Sequence, residues 1–186
     1  MMRLAYVLGM LLAGATHLAQ AADWKMDPSG STLEFIATFE KTAAPGVFRE
    51  FDTRMRFDPE KPEGSRIDVT IKVTSADMRS AEVNNAIRGP EWFDFARFAQ
   101  AEFHATDVRR AEANRYLARG TLTLKGVQQP VVVPFAWTGS PDSATIEGEL
   151  TLKRGLFGIG TGEWAVTNVI GADVRVKFRV RLRKAG

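Results

Sequence analysis

The chain has 186 residues, of which 45% are hydrophobic and 25% are charged, and its formal net charge is +3. This length and composition predict one globular domain with a sizeable core, and the small charge excludes a polycation. The sequence contains no cysteine, which excludes disulfides, thiolate metal sites and a cysteine nucleophile, so stability must come from burial.

The N-terminal residues have the features of an export signal. Arg3 provides a positive charge, residues 4–15 form an uncharged apolar run, and small residues occupy the positions that a signal peptidase reads. The run is shorter than the ~20 residues that span a membrane, so a retained anchor is the less favoured alternative. We expect a signal peptide over residues 1–21, cleavage near Ala21, a periplasmic or secreted location, and a single domain over residues 22–186.

The first part of this domain alternates apolar and polar residues at the period of two that marks a β-strand. Turn residues rich in Gly, Pro and Asp separate the alternating segments. We expect an opening strand formed by residues 24–26 and 32–39, a break at 43–46, and strands over 48–58 and 66–73 with a turn at 58–64.

The period changes between residues 74 and 100. Residues 75–77 offer helix caps, and the helix formers of 81–88 end at a Gly-Pro stop signal, so we expect one short helix. Residues 91–98 then carry four aromatic side chains, too many for an exposed loop. We expect a second helical turn there, whose rings either cap one end of a sheet or form the wall of a ligand site.

Strands resume after residue 100. We expect them over residues 101–108, 116–124, 131–137, 144–152 and 173–183, with a turn at 125–130 and a glycine-rich connection over 155–162. The last strand has the clearest pattern, because its apolar residues all fall on one face and its charges on the other. The apolar set is Val174, Val176, Phe178, Val180 and Leu182.

About eight long strands surround one short helical insertion. Such strands pair either as a two-sheet sandwich or as a closed barrel. Closure is favoured because it removes long unpaired edges. We therefore expect a mainly β fold, an antiparallel eight-stranded barrel, which is wide enough either to be filled by its own side chains or to hold one small ligand.

The sequence offers little for catalysis. His17 lies in the expected signal peptide, so His104 has no second histidine or cysteine for a metal site or a catalytic dyad. No two carboxylates form an inward pair, and the glycines of 155–162 lack the ending of a phosphate loop. We expect no metal and no catalytic residue. Two alternatives remain: an enzyme on an apolar substrate that uses His104, and a filled-core module that contacts a membrane redox partner.

The basic face of the last strand does not predict nucleic-acid binding. Its aromatic residue, Phe178, points away from the arginines and lysine, whereas nucleic-acid surfaces combine basic and stacking side chains on one face. We expect this face to be solvated and the protein to have no nucleic-acid partner.

An ordered set of short motifs resembles the YceI-like family. The motifs cover nearly the whole mature chain, from Trp24 to Leu182, and the stretch from Gly120 to Val127 is the most specific of them. The others are Phe35 with Phe39, Phe57-Asp58-Pro59, Ile71 to Ser75, Ile87-Arg88 followed by Trp92-Phe93-Asp94, Phe103, Pro130-Val131, and Arg154 with Phe157-Gly158-Ile159-Gly160. The resemblance implies an exported, lipocalin-like barrel with a long apolar tunnel that binds polyisoprenoid chains, including those of isoprenoid quinones, without general catalysis.

Three positions depart from the family's pattern. Phe39 stands where a histidine is common, Leu156 where an aspartate is common, and Ala99 where a proline is usual. Two of these changes remove polar groups, so they leave the apolar tunnel intact and alter the contacts expected for a ligand's head group.

We therefore expect large apolar side chains from most strands and from the aromatic segment to form the tunnel wall. They are Phe35, Phe51, Phe57, Ile71, Trp92, Phe93, Phe103, Leu122, Trp137, Phe157 and Phe178. No cofactor is expected apart from an isoprenoid lipid or quinone bound as a ligand. The expected partners are that lipid, a transient contact with a membrane or a membrane redox protein, and a second copy in a homodimer.

Overall fold

The computed structural model describes residues 21–185, so the signal peptide expected over residues 1–21 lies, but for its last residue, outside the described residues. Within that range there are ten strands, one α-helix and three short 3₁₀ helices. The strands are β1 (Ala22–Phe39), β2 (Thr42–Phe48), β3 (Phe51–Phe57), β4 (Arg66–Lys72), β5 (Ala76–Asp77), β6 (Gln100–Glu112), β7 (Arg115–Leu124), β8 (Val127–Gly139), β9 (Ser143–Lys153) and β10 (Asp173–Lys184). The helix α1 spans Ala81–Ala86, and the 3₁₀ helices span Val73–Ser75, Arg154–Phe157 and Gly162–Ala165.

Eight of these strands form a closed antiparallel barrel. Their order is β1-β3-β4-β6-β7-β8-β9-β10, and β10 returns to pair with β1 from Trp24 to Ile36. The two remaining strands extend the sheet at one end, where β2 pairs with β1 and β5 pairs with β2. The eight-stranded barrel with one short helix that the sequence predicts is therefore confirmed.

The first strand, β1, is continuous over 18 residues. A bulge between Asp27 and Thr32 joins the two pieces that the sequence predicts separately. The bulge bends the strand, so that its first half pairs with β3 and its second half with β2.

The break predicted at residues 43–46 is wrong, because these residues belong to β2. The chain turns earlier, at Glu40 and Lys41, whose φ angles of 46° and 66° are those of a tight hairpin turn. Residues of this type give no turn signal in the sequence. The strand predicted over 48–58 is also divided, since Arg49 and Glu50 separate β2 from β3.

The helical turn predicted over residues 91–98 forms only in part, because the segment contains isolated turns and no continuous helix. This segment forms successive turns, in which the Phe93 N–H donates to the Ile87 carbonyl and the Phe98 N–H to the Asp94 carbonyl. Asp94 has a φ of 52°, which ends any helical continuation.

The ladder between β8 and β9 is incomplete. Only Ala136 to Gly139 pair with Ala144 to Glu147, so the first nine residues of β8 have no partner on that side. The ladder of β8 with β7, in contrast, runs from Val127 to Ala136.

Two prolines explain why the ladder ends. The Trp137 N–H donates to Asn114 on the β7 side, at 2.9 Å. Because successive N–H groups of a strand point in opposite directions, the positions of Pro130 and Pro134 face β9, where a proline has no N–H to donate. The two strands are therefore not joined by a ladder between residues 130–135 and 148–153, and we call this unpaired part of the wall the β8–β9 slit.

One end of the barrel is closed by an aromatic plug that consists of Trp24, Phe57, Tyr116, Phe135 and Trp137. The Phe57 ring is fully buried, with its centroid 4.8 Å from that of Trp137 and 5.0 Å from that of Tyr116. The Trp24 indole N–H donates to the Phe57 carbonyl at 3.2 Å.

The opposite end, which we call the mouth, is covered by chain segments that connect strands. Residues 73–99 link β4 to β6, and residues 154–172 link β9 to β10. Among the helices of residues 21–185, none combines the length and the apolar character needed to cross a bilayer.

Candidate apolar binding site

The barrel encloses a cavity between the aromatic plug and the mouth. Its free space, measured for the centres of water-sized groups, is about 220 Å³. One water molecule needs only ~10–15 Å³ by this measure, so the interior is not a packed core. In the described part of the chain 28 side chains line the cavity, and all but Thr53 and Arg154 are hydrophobic.

Eight of the eleven side chains expected in the wall line the cavity. They are Phe35, Phe51, Ile71, Phe93, Phe103, Leu122, Phe157 and Phe178. Those on strands point inward because alternation fixes their face. Phe93 and Phe157 enter from the two segments that cover the mouth.

The other three do not line the cavity. Phe57 and Trp137 belong to the aromatic plug, and Trp92 packs against Trp164 at the mouth, with 5.8 Å between ring centroids. Alternation identifies the inward face of a strand but not the depth of a residue along the barrel axis. Leu182 shows the same effect, since it points inward and is buried outside the cavity.

Fifteen further hydrophobic residues of the described chain line the cavity that neither the expected wall nor the apolar set of the last strand includes, and most of them are smaller than phenylalanine. They are Leu33, Ala37, Phe48, Ile67, Val69, Ala101, Ala118, Leu124, Val131, Val133, Phe135, Ile146, Leu150, Leu152 and Ile159. Most occupy the inward positions of their strands, so the period of two carries the signal for them. Ile159 lies in the glycine-rich connection, where no periodicity exists.

Among residues 21–185, Arg154 is the only charged side chain in the wall, and it is 5% exposed. All five of its N–H groups donate to backbone carbonyls: Nε to Gly171 at 2.9 Å, Nη1 to Ile159 and Gly160 at 2.9 Å each, and Nη2 to Trp164 at 2.7 Å and Ile170 at 2.9 Å. Within residues 21–185 no carboxylate pairs with it, and desolvation lowers its pKa from the usual value. The guanidinium thus organises the segment that covers the mouth.

Lys125 acts in a similar way at the turn between β7 and β8. Its Nζ donates to the Pro90 carbonyl at 2.7 Å and to the Gly158 carbonyl at 2.6 Å, and desolvation lowers its pKa. The two segments that cover the mouth are therefore held to the barrel, and to each other, by one ammonium group.

Asp77 fixes the start of the segment that contains α1. Its carboxylate accepts hydrogen bonds from the Asn84 side chain at 2.9 Å, from the Arg79 N–H at 2.8 Å and from Arg49 Nε at 3.0 Å. These bonds lower the pKa of Asp77 to about 2. The carboxylate thereby connects the end of β2 to α1.

The one histidine of the expected domain lies outside the barrel. His104 Nδ1 is 2.5 Å from Asp68 Oδ1 on the outer face, and the imidazole is half exposed. Burial tends to raise the pKa of Asp68, but hydrogen bonds from Arg66 and His104 outweigh it and lower that pKa. His104 therefore does not reach the cavity. An enzyme that uses His104 on a substrate inside the barrel would require it to do so. Residues 21–185 also hold no cluster of three or more potential metal ligands.

The model of the YceI-like domain matches residues 24–182 of the chain. The chain belongs to the YceI-like family. It is 34% identical over 164 residues to a UPF0312 protein of Azotobacter vinelandii, an alignment that covers 83% of this chain and 85% of the relative.

Solved structures of similar proteins share the barrel of this YceI-like chain. BcnA of Burkholderia cenocepacia is 31% identical, with a TM-score of 0.81 over 84% of this chain and 98% of BcnA. A polyisoprenoid binding domain from Saccharophagus degradans is 17% identical, with a TM-score of 0.71 over 89% of this chain and all of that domain, which is a likeness of fold. The membership that the sequence motifs indicate is therefore confirmed.

Two departures of this YceI-like chain from the family's pattern lie exposed around the mouth. Phe39 at the end of β1 is 48% exposed, and Leu156 in the second 3₁₀ helix is 56% exposed. The third departure, Ala99, uses its carbonyl to accept a hydrogen bond from the Val73 N–H at 2.9 Å. The mouth thus presents apolar surface at both of these positions.

Proposed function

We propose that the protein binds a polyisoprenoid chain in its cavity and acts as a carrier or reservoir rather than as an enzyme. The observation that carries this proposal is the composition of the cavity wall, which is hydrophobic except for Thr53 and Arg154. The donors of Arg154 are already used by carbonyls. A wall of this kind favours an apolar chain over a polar metabolite.

The energetics favour a long chain over a short one. Each buried CH₂ group contributes about 0.8 kcal/mol, so a dozen carbons contribute about 10 kcal/mol and each further isoprene unit about 4 kcal/mol. Association costs on the order of 4–15 kcal/mol. Chains of several isoprene units therefore exceed the cost, whereas a single unit does not.

The comparisons support the same proposal. The Saccharophagus degradans domain, which has this fold, is described as polyisoprenoid binding. The positive charge and the apolar run of the first 21 residues support export of the protein and release of a soluble domain. A carrier of this kind would act outside the cytoplasm. Neither a cofactor nor a metal is part of the proposal.

The direct test is to purify the mature protein, extract it with organic solvent and analyse the extract by mass spectrometry. We expect a co-purifying isoprenoid lipid, and saturable uptake of a polyprenyl quinone by the delipidated protein. A protein that yields no lipid and takes up no quinone would contradict the proposal.

Two neighbouring residues on β4 provide a matched pair of variants. Val69 lines the cavity, and Thr70 is exposed on the outer face of the same strand. We expect Val69→Trp to reduce quinone uptake at least about tenfold, because the indole fills space that the chain needs, a loss of roughly 1.4 kcal/mol or more. Thr70→Trp should take up quinone like the unmodified protein, and equal uptake by both variants would argue against binding in the cavity.

A further inference from the structure

The outer surface of β8 is apolar and uncharged. No residue from Val127 to Gly139 carries a charge. Five side chains form what we call the apolar strip: Leu117 of β7, Pro130, Val132 and Pro134 of β8, and Leu156. Val132 is 47% exposed, and Gln129 Nε2 donates to the Leu156 carbonyl at 3.3 Å, which places Leu156 at the mouth end of the strip.

The apolar strip borders the β8–β9 slit, and the cavity reaches that slit from inside. Val131 and Val133 line the cavity on the β8 side, and Leu150 and Leu152 line it on the β9 side. All four are half buried, as is Phe178 in the fully paired part of the wall. The wall beneath the apolar strip differs from the rest of the barrel because no ladder joins its two strands there.

The strands around the strip carry an excess of positive charge. The outward residues of β7, β9 and β10 comprise eight basic and three acidic side chains: Arg115, Arg119, Lys153, Arg175, Lys177, Arg179, Arg181 and Arg183 against Glu147, Glu149 and Asp173. On the opposite side of the barrel, the outward residues of β1, β3, β4 and β6 carry the two signs in near-equal numbers. Among the ion pairs of residues 21–185, none involves Arg115 or Arg119, which flank the strip.

We propose that this face docks on the surface of an anionic lipid bilayer, with the apolar strip against the lipids and the flanking arginines on their head groups. An exposed apolar patch marks an interaction site, and a basic rim selects a negatively charged partner. The passage of an isoprenoid chain between bilayer and cavity through the slit rests on the proposed function, whereas docking itself does not.

Flotation with lipid vesicles tests the docking. We expect the delipidated protein to float with vesicles that contain phosphatidylglycerol at least about tenfold more than with pure phosphatidylcholine vesicles, and high salt to abolish the difference. Equal binding to both vesicles, or no binding to either, would overturn the proposal. Self-association in sedimentation without vesicle binding would overturn it too, because the strip would then serve a second copy.

Charge-reversal variants locate the docking face. Arg115→Glu with Arg119→Glu should reduce flotation at least about tenfold, and Val132→Asp should have a similar effect. The matched control is Arg54→Glu with Arg56→Glu on β3, which lies across the barrel from β8 and should float like the unmodified protein. A control that loses as much flotation as the Arg115 and Arg119 variant would overturn the assignment of the face.

Quinone uptake in solution separates this inference from the proposed function. If the protein floats with anionic vesicles but takes up no quinone, the proposed carrier function is wrong and the docking face is supported. If the protein takes up quinone but does not float, the docking face is wrong and the carrier function is supported.

Discussion

Arg154 places a positive charge beside an apolar cavity, and no carboxylate within residues 21–185 forms an ion pair with it. Burial of an isolated cation is costly unless polar groups replace its hydration shell. Here five backbone carbonyls do so, and they come from residues 159–171, a segment that has no strand or α-helix of its own. The side chain therefore supplies hydrogen bonds that a strand ladder or an α-helix would otherwise supply in this segment.

This role predicts a large loss of stability for Arg154→Met. The methionine has a similar length but leaves the carbonyls without donors, and we expect the free energy of unfolding to fall by about 3 kcal/mol or more. Urea denaturation measures this change. Arg119→Met is the control, since Arg119 is exposed and should cost less than about 0.5 kcal/mol. A loss below about 1 kcal/mol for Arg154→Met would show that the carbonyl contacts are dispensable.

The sequence identifies individual wall residues only in part. Alternation correctly gives the inward face, so Phe35, Phe103 and Phe178 are found in the cavity wall. Depth along the barrel depends on the stagger between strands, which one strand's pattern does not contain. Phe57 and Trp137 are therefore indistinguishable from wall residues until the closed barrel is known. The expectation that these residues contact a ligand is still a prediction.

At the level of whole elements, the strands were predictable and some of their ends were not. The period of two locates all eight barrel strands, because one face of each packs inward and the other meets solvent. The hairpin at Glu40 and Lys41 could not be predicted, since neither residue type favours positive φ. The closure of β10 on β1 could be expected only from the general cost of open edges.

The segment with α1 depends on one carboxylate, which gives it a predictable response to acid. Asp77 has its pKa lowered from 3.8 to about 2 in the folded protein, so its hydrogen bonds stabilise the fold fully above the usual pKa and are lost as the pH falls through about 2. We expect Asp77→Asn to lower the melting temperature at neutral pH. The difference from the unmodified protein should shrink as the pH falls below 3.8 towards 2.

Thermal unfolding followed by circular dichroism across this pH range measures the difference. Asp142→Asn is the control, because the Asp142 side chain makes no hydrogen bond or ion pair in the described part of the chain, and it should leave the melting temperature unchanged at every pH. A difference for Asp77→Asn that persists unchanged at pH values near 2 would exclude the carboxylate as its source.

The molecule as a whole divides into an end that is densely packed with aromatic rings and a half that contains the cavity. The aromatic plug packs rings at centroid distances of 4.8–5.8 Å, whereas the cavity lies towards the mouth. Such a division allows the interior to stay open, since dense packing at one end offsets its absence at the other.

This division predicts that stability and binding respond to different residues. Trp137→Ala should lower the free energy of unfolding by about 3–5 kcal/mol, because it leaves a hole in the plug, while the quinone taken up per folded molecule stays unchanged. Trp164→Ala at the mouth, where the ring is half buried, should cost about 1 kcal/mol. Loss of uptake by folded Trp137→Ala would show that the plug also shapes the binding site.

The two prolines of β8 also affect the tendency of the protein to aggregate. A row of unpaired N–H and C=O groups recruits strands from other chains and so starts aggregation. Pro130 and Pro134 remove two of the donors along the edge that faces β9, so an incoming strand finds no regular ladder to extend. The barrel can therefore keep an incompletely paired wall and still resist assembly into fibrils.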